Sequence, residues 1–246
     1  MTAFLIIVAL AWVGWRAANK RRNRKHAGRD HTLLAPFLRS RAEAQGDAGE
    51  TTVMAELERL LTHLCGVNFY LHPCALLITH APGTSFPTAE IDHLFITPFG
   101  IFIVETKNWT GLVAPGPNAA VLTRTGADGV SETRKSPDAQ NRTKLNYLRG
   151  LMPGMWPVHA VGVFASDHCT LSPELPLTLM HVSELHHWMR TRKAAFDASG
   201  AIPVNVSLAR EVVLGNTDSS PKAVAMHRER VKNASRITTF NGDNGQ

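Results

Sequence analysis

The sequence has few cysteines, and their spacing argues against the common structural zinc sites. Its three cysteines, Cys65, Cys74 and Cys169, form no Cys-x-x-Cys pair, and its twelve histidines include no His-Glu-x-x-His motif. An odd number of scattered cysteines indicates a reducing compartment rather than a disulfide-stabilised secreted protein. We expect all three thiols to be small core residues.

Outside one short segment, the sequence also lacks an excess of charge of either sign. The chain has 26 basic and 20 acidic residues, a formal net charge of +6. Seven of the basic residues lie in 1–29, which contains no acidic residue. The rest of the chain therefore has 19 basic and 20 acidic residues and is nearly neutral. The positive charge therefore belongs to the N-terminal segment and does not identify the folded part as a DNA-binding domain.

One long apolar run, residues 3–15, lies at the N-terminus. The usable stretch, 2–18, is close to the shortest helix of about 17 residues that spans a bilayer. Basic residues follow this run, which argues against a cleaved signal peptide and places the C-terminal side in the cytoplasm. We predict a membrane anchor at 1–18, a basic linker at 19–38 and a single-pass protein of the inner (cytoplasmic) membrane. An amphipathic or buried helix is the alternative, although the run has no polar face.

The remaining sequence alternates helical and strand patterns, which is typical of an α/β fold. Apolar residues spaced four, three and four apart predict an amphipathic helix within 38–65. Proline and glycine predict loops at 81–89 and 108–118. Strands are expected at 68–71, 75–79, 90–97, 101–107, 120–125, 130–134, 158–165 and 177–182, and further helices from 137 and at 183–196, 207–214 and 222–232.

Three charged residues stand near the ends of the central hairpin at 90–111, where apolar side chains are expected. Asp92 begins the first strand, and Glu105 and Lys107 end the second on one shared face. If the turn spans 97–100, Ile96 pairs with Ile101 and Asp92 lies opposite Glu105, with about 5 Å between their β-carbons. Two carboxylates that close repel each other unless a cation lies between them. The pattern therefore indicates either a metal site that binds a phosphate or a salt-bridge cluster at the end of the sheet.

An acidic residue on one strand followed by Glu-x-Lys on the next resembles the PD-(D/E)XK nuclease superfamily. A longer set of motifs, Gly49-Glu50, EIDHLFIT, GIFIVETKNWTG and SPDAQN, resembles the nuclease-related (NERD) domain over about 49–164. The resemblance implies a restriction-endonuclease-like core, a mixed sheet flanked by helices in the order αβββαβ, in a domain at 39–170. Residues 171–236 are then a C-terminal α/β extension packed on this domain, and 237–246 a disordered tail.

The resemblance also implies Mg²⁺- or Mn²⁺-dependent phosphodiester hydrolysis of DNA, without a small-molecule cofactor. The metal ligands would be the carboxylates of Asp92 and Glu105 and the backbone carbonyl of Thr106. Lys107 would orient the attacking water and stabilise developing negative charge. The alternative is a non-catalytic nucleic-acid-binding module, or a membrane-tethered scaffold, that retains the fold.

Four further residues match the same motifs. The resemblance implies that Gln140 holds Lys107 or a phosphate and that Glu50 completes the metal site through water. Taken alone, Glu50 favours the alternative of a stabilising charge at a helix N-terminus, and the match to the family motif reverses that preference. Asn108 and Trp109 are secondary candidates, and Trp109 either stacks on a base or covers the core. The basic helix at 222–232 either contacts nucleic acid or is solvated.

Overall fold

A computed structural model describes the backbone of residues 41–242 and the side chains of residues 44–234. This part of the chain has a mixed α/β fold with five α-helices, one 3₁₀ turn and three sheets. The predicted anchor at 1–18, the linker at 19–38 and the end of the predicted tail, 243–246, lie outside the described residues. Within 41–242, no helix is long and apolar enough to cross a membrane.

The elements follow one another along the chain with short connections. The helices are α1 (Arg41–Cys65), α2 (Pro137–Leu151), α3 (Leu185–Ser199), α4 (Val206–Gly215) and α5 (Pro221–Gly242), and the 3₁₀ turn is Val182–Glu184. The strands are β1 (Tyr70–Leu71), β2 (Leu76–Thr79), β3 (Thr88–Ile91), β4 (His93–Thr97), β5 (Gly100–Lys107), β6 (Gly111–Pro115), β7 (Val121–Thr125), β8 (Ser131–Lys135), β9 (Val158–Phe164), β10 (Cys169–Leu171), β11 (Leu179–His181) and β12 (Thr217–Asp218).

The central sheet has the strand order β1-β4-β5-β9-β11 and is flanked by helices on both faces. Strands β4 and β5 are antiparallel, and Ile96 pairs with Ile101, which confirms the predicted register. Alternation along β5 sends Phe102 and Val104 into a core with α1 and α3, whereas Ile101 and Ile103 pack with α2 and α4. Helix α1, the central-sheet strands β1, β4 and β5, helix α2 and strand β9 follow one another in the order αβββαβ. The strands between them, β2, β3, β6, β7 and β8, belong to the other two sheets.

The segment predicted as one strand, 90–97, is two strands that belong to different sheets. Strand β3 pairs with β2 in a three-stranded sheet of order β12-β2-β3, and β4 pairs with β1 and β5 in the central sheet. Asp92 is the bend between them. The ladder between β4 and β5 ends at the pair His93 and Val104, so the predicted direct pairing of Asp92 with Glu105 is wrong.

A third sheet, of order β10-β6-β7-β8, contains the predicted hairpin at 120–134 and two strands, β6 and β10, that the sequence analysis missed. Strand β6 lies inside the predicted loop at 108–118. Gly111 begins it with φ +91° and lies against the backbone of Thr125, an approach and a conformation that suit glycine. The glycine and proline signals therefore mark the two ends of a short strand.

Residues 171–236 contribute strands to the sheets as well as helices. Strand β11 is an edge of the central sheet, and β12 is an edge of the three-stranded sheet. Helix α5 continues to Gly242 and so covers 237–242, which the sequence analysis assigned to a disordered tail. Cys74 is exposed, and Cys65 and Cys169 are only partly buried, so the expectation of three core cysteines is wrong.

Candidate active site

The bend at Asp92 brings its carboxylate to the end of β5. Its Oδ2 accepts a hydrogen bond of 2.8 Å from the backbone N–H of Thr106. Asp92 therefore takes the place that a backbone carbonyl of β4 would occupy if the strand continued. Because the N–H and C=O of one strand residue point to the same side, the Thr106 carbonyl also points toward the Asp92 side of β5.

Glu105 is buried, with 4% of its surface exposed, and each of its two oxygens accepts a hydrogen bond from a lysine. The Lys107 Nζ lies 2.6 Å from Oε1, and the Lys144 Nζ donates to Oε2. Lys144 belongs to α2, which packs against β5. Sequence analysis did not predict Lys144 as a site residue. The available signal was its position one helical turn after Gln140, which puts both residues on one face of α2.

The two acidic groups have pKa values displaced in opposite directions. Burial, and next the neighbouring Glu105 carboxylate, raise the pKa of Asp92 to about 7, although Lys144, Lys107 and the Thr106 N–H oppose this. Burial acts in the same direction on Glu105, but Lys144 and Lys107 outweigh it and lower the pKa of Glu105. Burial likewise acts to lower the pKa of Lys144, and Glu105 and Asp92 outweigh it and raise that pKa. The cluster is thus strongly coupled.

A cleft of about 600 Å³ opens over this cluster. It is lined by every residue predicted to be catalytic or a metal ligand: Glu50, Asp92, Glu105, Thr106, Lys107 and Gln140. Lys144 and Lys135 also line it, as do Glu90 and Arg228. Residues from α1, β3, β5, α2 and α5 therefore meet in one concave surface, as expected of an active site.

Glu50 reaches the cleft from the part of α1 that packs closely against the end of β5. Gly49, the preceding residue, lies so near Asn108 that a β-carbon built on it would be 2.7 Å from the Asn108 Cβ. Burial raises the pKa of Glu50, while Arg228, whose Nη2 is 3.8 Å away, acts to lower it. The structure therefore places Glu50 in the cleft beside the cluster.

Arg228 is a second cleft residue that sequence analysis did not single out as a site residue. It donates to both carboxylate oxygens of Glu90, with Nε at 2.9 Å from Oε1 and 3.1 Å from Oε2. The side chain is about half exposed, and its hydrogen bonds with Glu90 raise its pKa. Helix α5 was predicted to be either a solvated helix or a nucleic-acid contact. In the structure its first turns pack against β2 and β3, with Arg228 at the cleft.

The two secondary candidates have structural contacts outside the cleft lining. Asn108 exchanges two hydrogen bonds of 2.7 Å with Gln45, through its backbone carbonyl and its side-chain amide. Trp109 packs edge-on against Phe164, with 5.5 Å between ring centroids. Asn108 therefore fastens α1 to the end of β5, and Trp109 covers part of the core, which is the alternative that the sequence left open.

His93 follows Asp92 and is buried beneath the cluster, with 2% of its surface exposed. Its Nε2 lies 3.0 Å from the Thr106 Oγ1, and among the described residues its Nδ1 has no hydrogen-bond partner. Burial lowers the pKa of His93 to about 4, so the ring is neutral near neutral pH. A neutral ring supports Thr106 from below without adding positive charge to the cluster.

The donor set of the cleft suits a small divalent cation that prefers oxygen. Asp92, Glu105 and the Thr106 carbonyl provide hard oxygen ligands, and Mg²⁺ commonly binds one or two carboxylates and completes its shell with water. Burial, and next repulsion from Glu105, raise the pKa of Asp92, and a bound cation would offset both because it favours the ionised carboxylate. Within residues 41–242, however, no group of three or more histidine, cysteine, aspartate or glutamate side chains is arranged to hold a metal ion. Any such ion therefore depends on two carboxylates, backbone and water.

Comparison with known proteins identifies the domain that contains this cleft. The model of the nuclease-related domain (NERD) family matches residues 45–165. No curated protein and no solved structure matches the chain. The matched range begins in α1, ends just after β9 and contains every residue predicted to be catalytic.

Proposed function

The chain belongs to the nuclease-related domain family through residues 45–165, and we propose that it is a divalent-metal-dependent phosphodiesterase that cleaves DNA. The observation that carries the proposal is the convergence of Asp92, Glu105 and Lys107 at the floor of one cleft. Lys107 is 2.6 Å from Glu105, and Asp92 is close enough for Glu105 to raise its pKa. We also infer that the sheet and its two flanking helices form a restriction-endonuclease-like core.

Each residue predicted from the family motifs to be catalytic or a metal ligand has a role in the proposed hydrolysis. Asp92, Glu105 and the Thr106 carbonyl would hold Mg²⁺ or Mn²⁺, which supplies charge neutralisation at the phosphate and a more acidic bound water. Lys107 would hold the attacking water and stabilise the negative charge that develops on the phosphoryl oxygens. Gln140, on the rim of the cleft, would orient the phosphate, and Glu50 would accept a hydrogen bond from a metal-bound water.

The charge of the cleft supports a requirement for metal. Four carboxylates line it, those of Glu50, Glu90, Asp92 and Glu105, and four basic side chains balance them, those of Lys107, Lys135, Lys144 and Arg228. A phosphodiester backbone therefore meets little net attraction until a divalent cation is added. Affinity for polyanionic DNA depends on an excess of positive charge at the binding surface.

A non-catalytic nucleic-acid-binding or scaffold module remains the second candidate because of one specific feature. Both Glu105 oxygens already accept hydrogen bonds from lysines, so the cluster satisfies its own charges without a metal. Under this alternative the cleft would bind nucleic acid, or a partner protein, without turnover. The two candidates differ in whether the divalent ion and Lys107 produce cleaved product.

The N-terminal segment supplies the cellular part of the proposal. We propose that residues 1–18 anchor the protein in the inner (cytoplasmic) membrane with the domain facing the cytoplasm, because an apolar run precedes a cluster of basic residues. Deletion of 1–18 is expected to move the protein from the membrane fraction to the soluble fraction. Unchanged membrane association of the deleted chain would refute the anchor.

A cleavage assay tests the proposed chemistry directly. The full chain is incubated with single-stranded DNA, double-stranded DNA and RNA, with Mg²⁺, Mn²⁺ or a chelator. We expect metal-dependent cleavage of DNA that falls by about 100-fold or more in Lys107→Ala and Asp92→Asn, since each removes charge stabilisation at the reacting phosphate. Lys222→Ala, at an exposed lysine of α5 outside the cleft lining, is the matched control and should retain activity.

The assay separates the two candidates. Cleavage that the chelator abolishes and that both site variants lose would support the enzyme. DNA binding without cleavage under any metal would support the non-catalytic module. Cleavage that survives in both site variants would indicate a contaminating nuclease and would remove the support for this site.

A further inference from the structure

Lys144 is the more deeply buried of the two lysines on Glu105, and the proposed hydrolysis assigns it no role. Only 6% of its side chain is exposed, compared with 15% for Lys107. Its Nζ donates to the Glu105 Oε2, and Glu105 is the carboxylate that the metal requires. The two lysines therefore share Glu105, one on each oxygen.

With Asp92 ionised, the charges of this cluster balance before any metal is added. Asp92 and Glu105 provide two carboxylates, and Lys107 and Lys144 provide two ammonium groups. A buried ammonium is retained only where a carboxylate compensates it, so Lys144 depends on Glu105 as its hydrogen-bonding partner. A divalent ion that bound Glu105 would take this partner and would also stand close to the Lys144 charge.

We propose that Lys144 occupies the position on Glu105 that a divalent metal needs, and that it thereby sets the metal affinity of the cleft. This inference rests on the proposed function and assigns Lys144 the part of a positioning residue. Metal binding then requires the ammonium to leave the Glu105 Oε2. Gln140 and Thr143, its neighbours on α2, line the same cleft, as does Glu90, whose charge also acts on Lys144. A displaced Lys144 therefore has Glu90 or, once substrate is bound, a phosphate oxygen as its partner. Metal and phosphate are therefore expected to bind cooperatively.

Of the two lysines that bind Glu105, Lys144 is the one that competes with the metal, because it is the one that depends more on Glu105 as a partner. Lys107 stands at the end of β5 and is more exposed, so water can replace Glu105 as its partner. Lys144 projects from the middle of α2 into the protein, and no comparable solvation is open to it. Removing the Lys144 charge should therefore favour the bound ion more than removing a charge at the rim.

Direct measurement of Mn²⁺ binding tests the inference without reference to catalysis. The full chain is titrated with Mn²⁺ by calorimetry and by the loss of the free-ion paramagnetic signal. We expect Lys144→Met to bind Mn²⁺ about 10-fold or more tightly than wild type, because a positive charge within a few ångströms is removed. Lys144→Arg, which keeps the charge and a donor for Glu105, should bind as weakly as wild type.

Lys135→Met is the matched control for general charge. Lys135 lines the same cleft but is exposed. Among the described residues, the lysines that are hydrogen-bonded to Glu105 are Lys144 and Lys107. Replacement of Lys135 should change Mn²⁺ affinity by less than about 3-fold, since solvent screens exposed charges. If Lys144→Met does not fold without metal, Lys144→Gln keeps a donor for Glu105 and serves in the same titration.

The outcomes distinguish this inference from the proposed function. If the wild-type protein binds Mn²⁺ and neither Lys144→Met nor Lys144→Gln binds it more tightly, the inference is wrong and the metal site stands. If Lys135→Met gains as much affinity as Lys144→Met, general charge is the cause and the inference is also wrong. If neither wild type nor any Lys144 variant binds Mn²⁺, both the inference and the proposed metal-dependent function are refuted.

Discussion

Replacement of Asp92 by asparagine should stabilise the protein at alkaline pH while it removes the proposed activity. Burial, and next the Glu105 carboxylate, raise the pKa of Asp92 from its ordinary 3.8 to about 7. Between these values the folded protein keeps a proton that the unfolded chain releases, so the free energy of unfolding falls as pH rises through this range. Asparagine is neutral in both states, and its side-chain oxygen can still accept the Thr106 N–H.

The size of the effect follows from the pKa values. Each pH unit between the two values removes about 1.4 kcal/mol from the free energy of unfolding of the wild-type protein. We therefore expect Asp92→Asn to be more stable than wild type by about 4 kcal/mol at about pH 8. At about pH 4 the difference should be less than about 1 kcal/mol.

Urea unfolding of the full chain, followed by tryptophan fluorescence and circular dichroism across this pH range, measures the difference. Asp167→Asn, at an exposed aspartate outside the cleft lining, is the matched control and should follow wild type at every pH. Addition of about 10 mM Mg²⁺ at about pH 8 should stabilise wild type, because a ligand that binds only the folded state raises the stability of that state. The same addition should leave the stability of Asp92→Asn unchanged, because this variant lacks one of the proposed metal ligands. A stability difference that does not vary with pH, or a variant less stable than wild type near about pH 8, would refute the reasoning.

Two pairs of glycine variants test the packing that positions the site. Gly49→Ala should lower the free energy of unfolding by about 1–3 kcal/mol, since its new β-carbon would meet Asn108. Gly46→Ala, in the same helix with nothing within 4 Å, should raise it by about 0.5–1 kcal/mol. Gly162→Ala should likewise lower the free energy of unfolding by about 1–3 kcal/mol, because Pro137 and Leu179 fill the space beside Gly162. Gly150→Ala in α2 has nothing within 4 Å and should raise the free energy of unfolding by up to about 1 kcal/mol. Chemical unfolding measures all four, and equal effects within either pair would contradict this account of the packing.

Local patterns were sufficient to predict much of the central sheet. The alternation of β5 predicted which side chains share a face, and the turn at 97–100 predicted the pairing of Ile96 with Ile101. Motif order predicted that Glu50 and Gln140, from two helices, belong near Asp92 and Glu105, and all four line one cleft. Strand β6 was missed because glycine and proline at the ends of a short strand resemble those of a loop.

The periodicity of the sequence could not predict that the chain passes from one sheet to another at Asp92. Residues 90–97 have the composition of one continuous strand, and nothing in their spacing marks the bend. The break arises because β3 pairs with β2 while β4 pairs with β1 and β5. Competition between two sheets for one segment is a tertiary effect.

By itself, the sequence determined the faces of the strands and helices, the register of the hairpin and the family motifs, because these depend on residues that are near neighbours along the chain. The tertiary structure alone decided which distant charges meet. Lys144 is 39 residues from Glu105, and Arg228 is 138 residues from Glu90. Their contacts depend on how α2 and α5 pack against the strands, and burial then decides the pKa values of the groups so brought together.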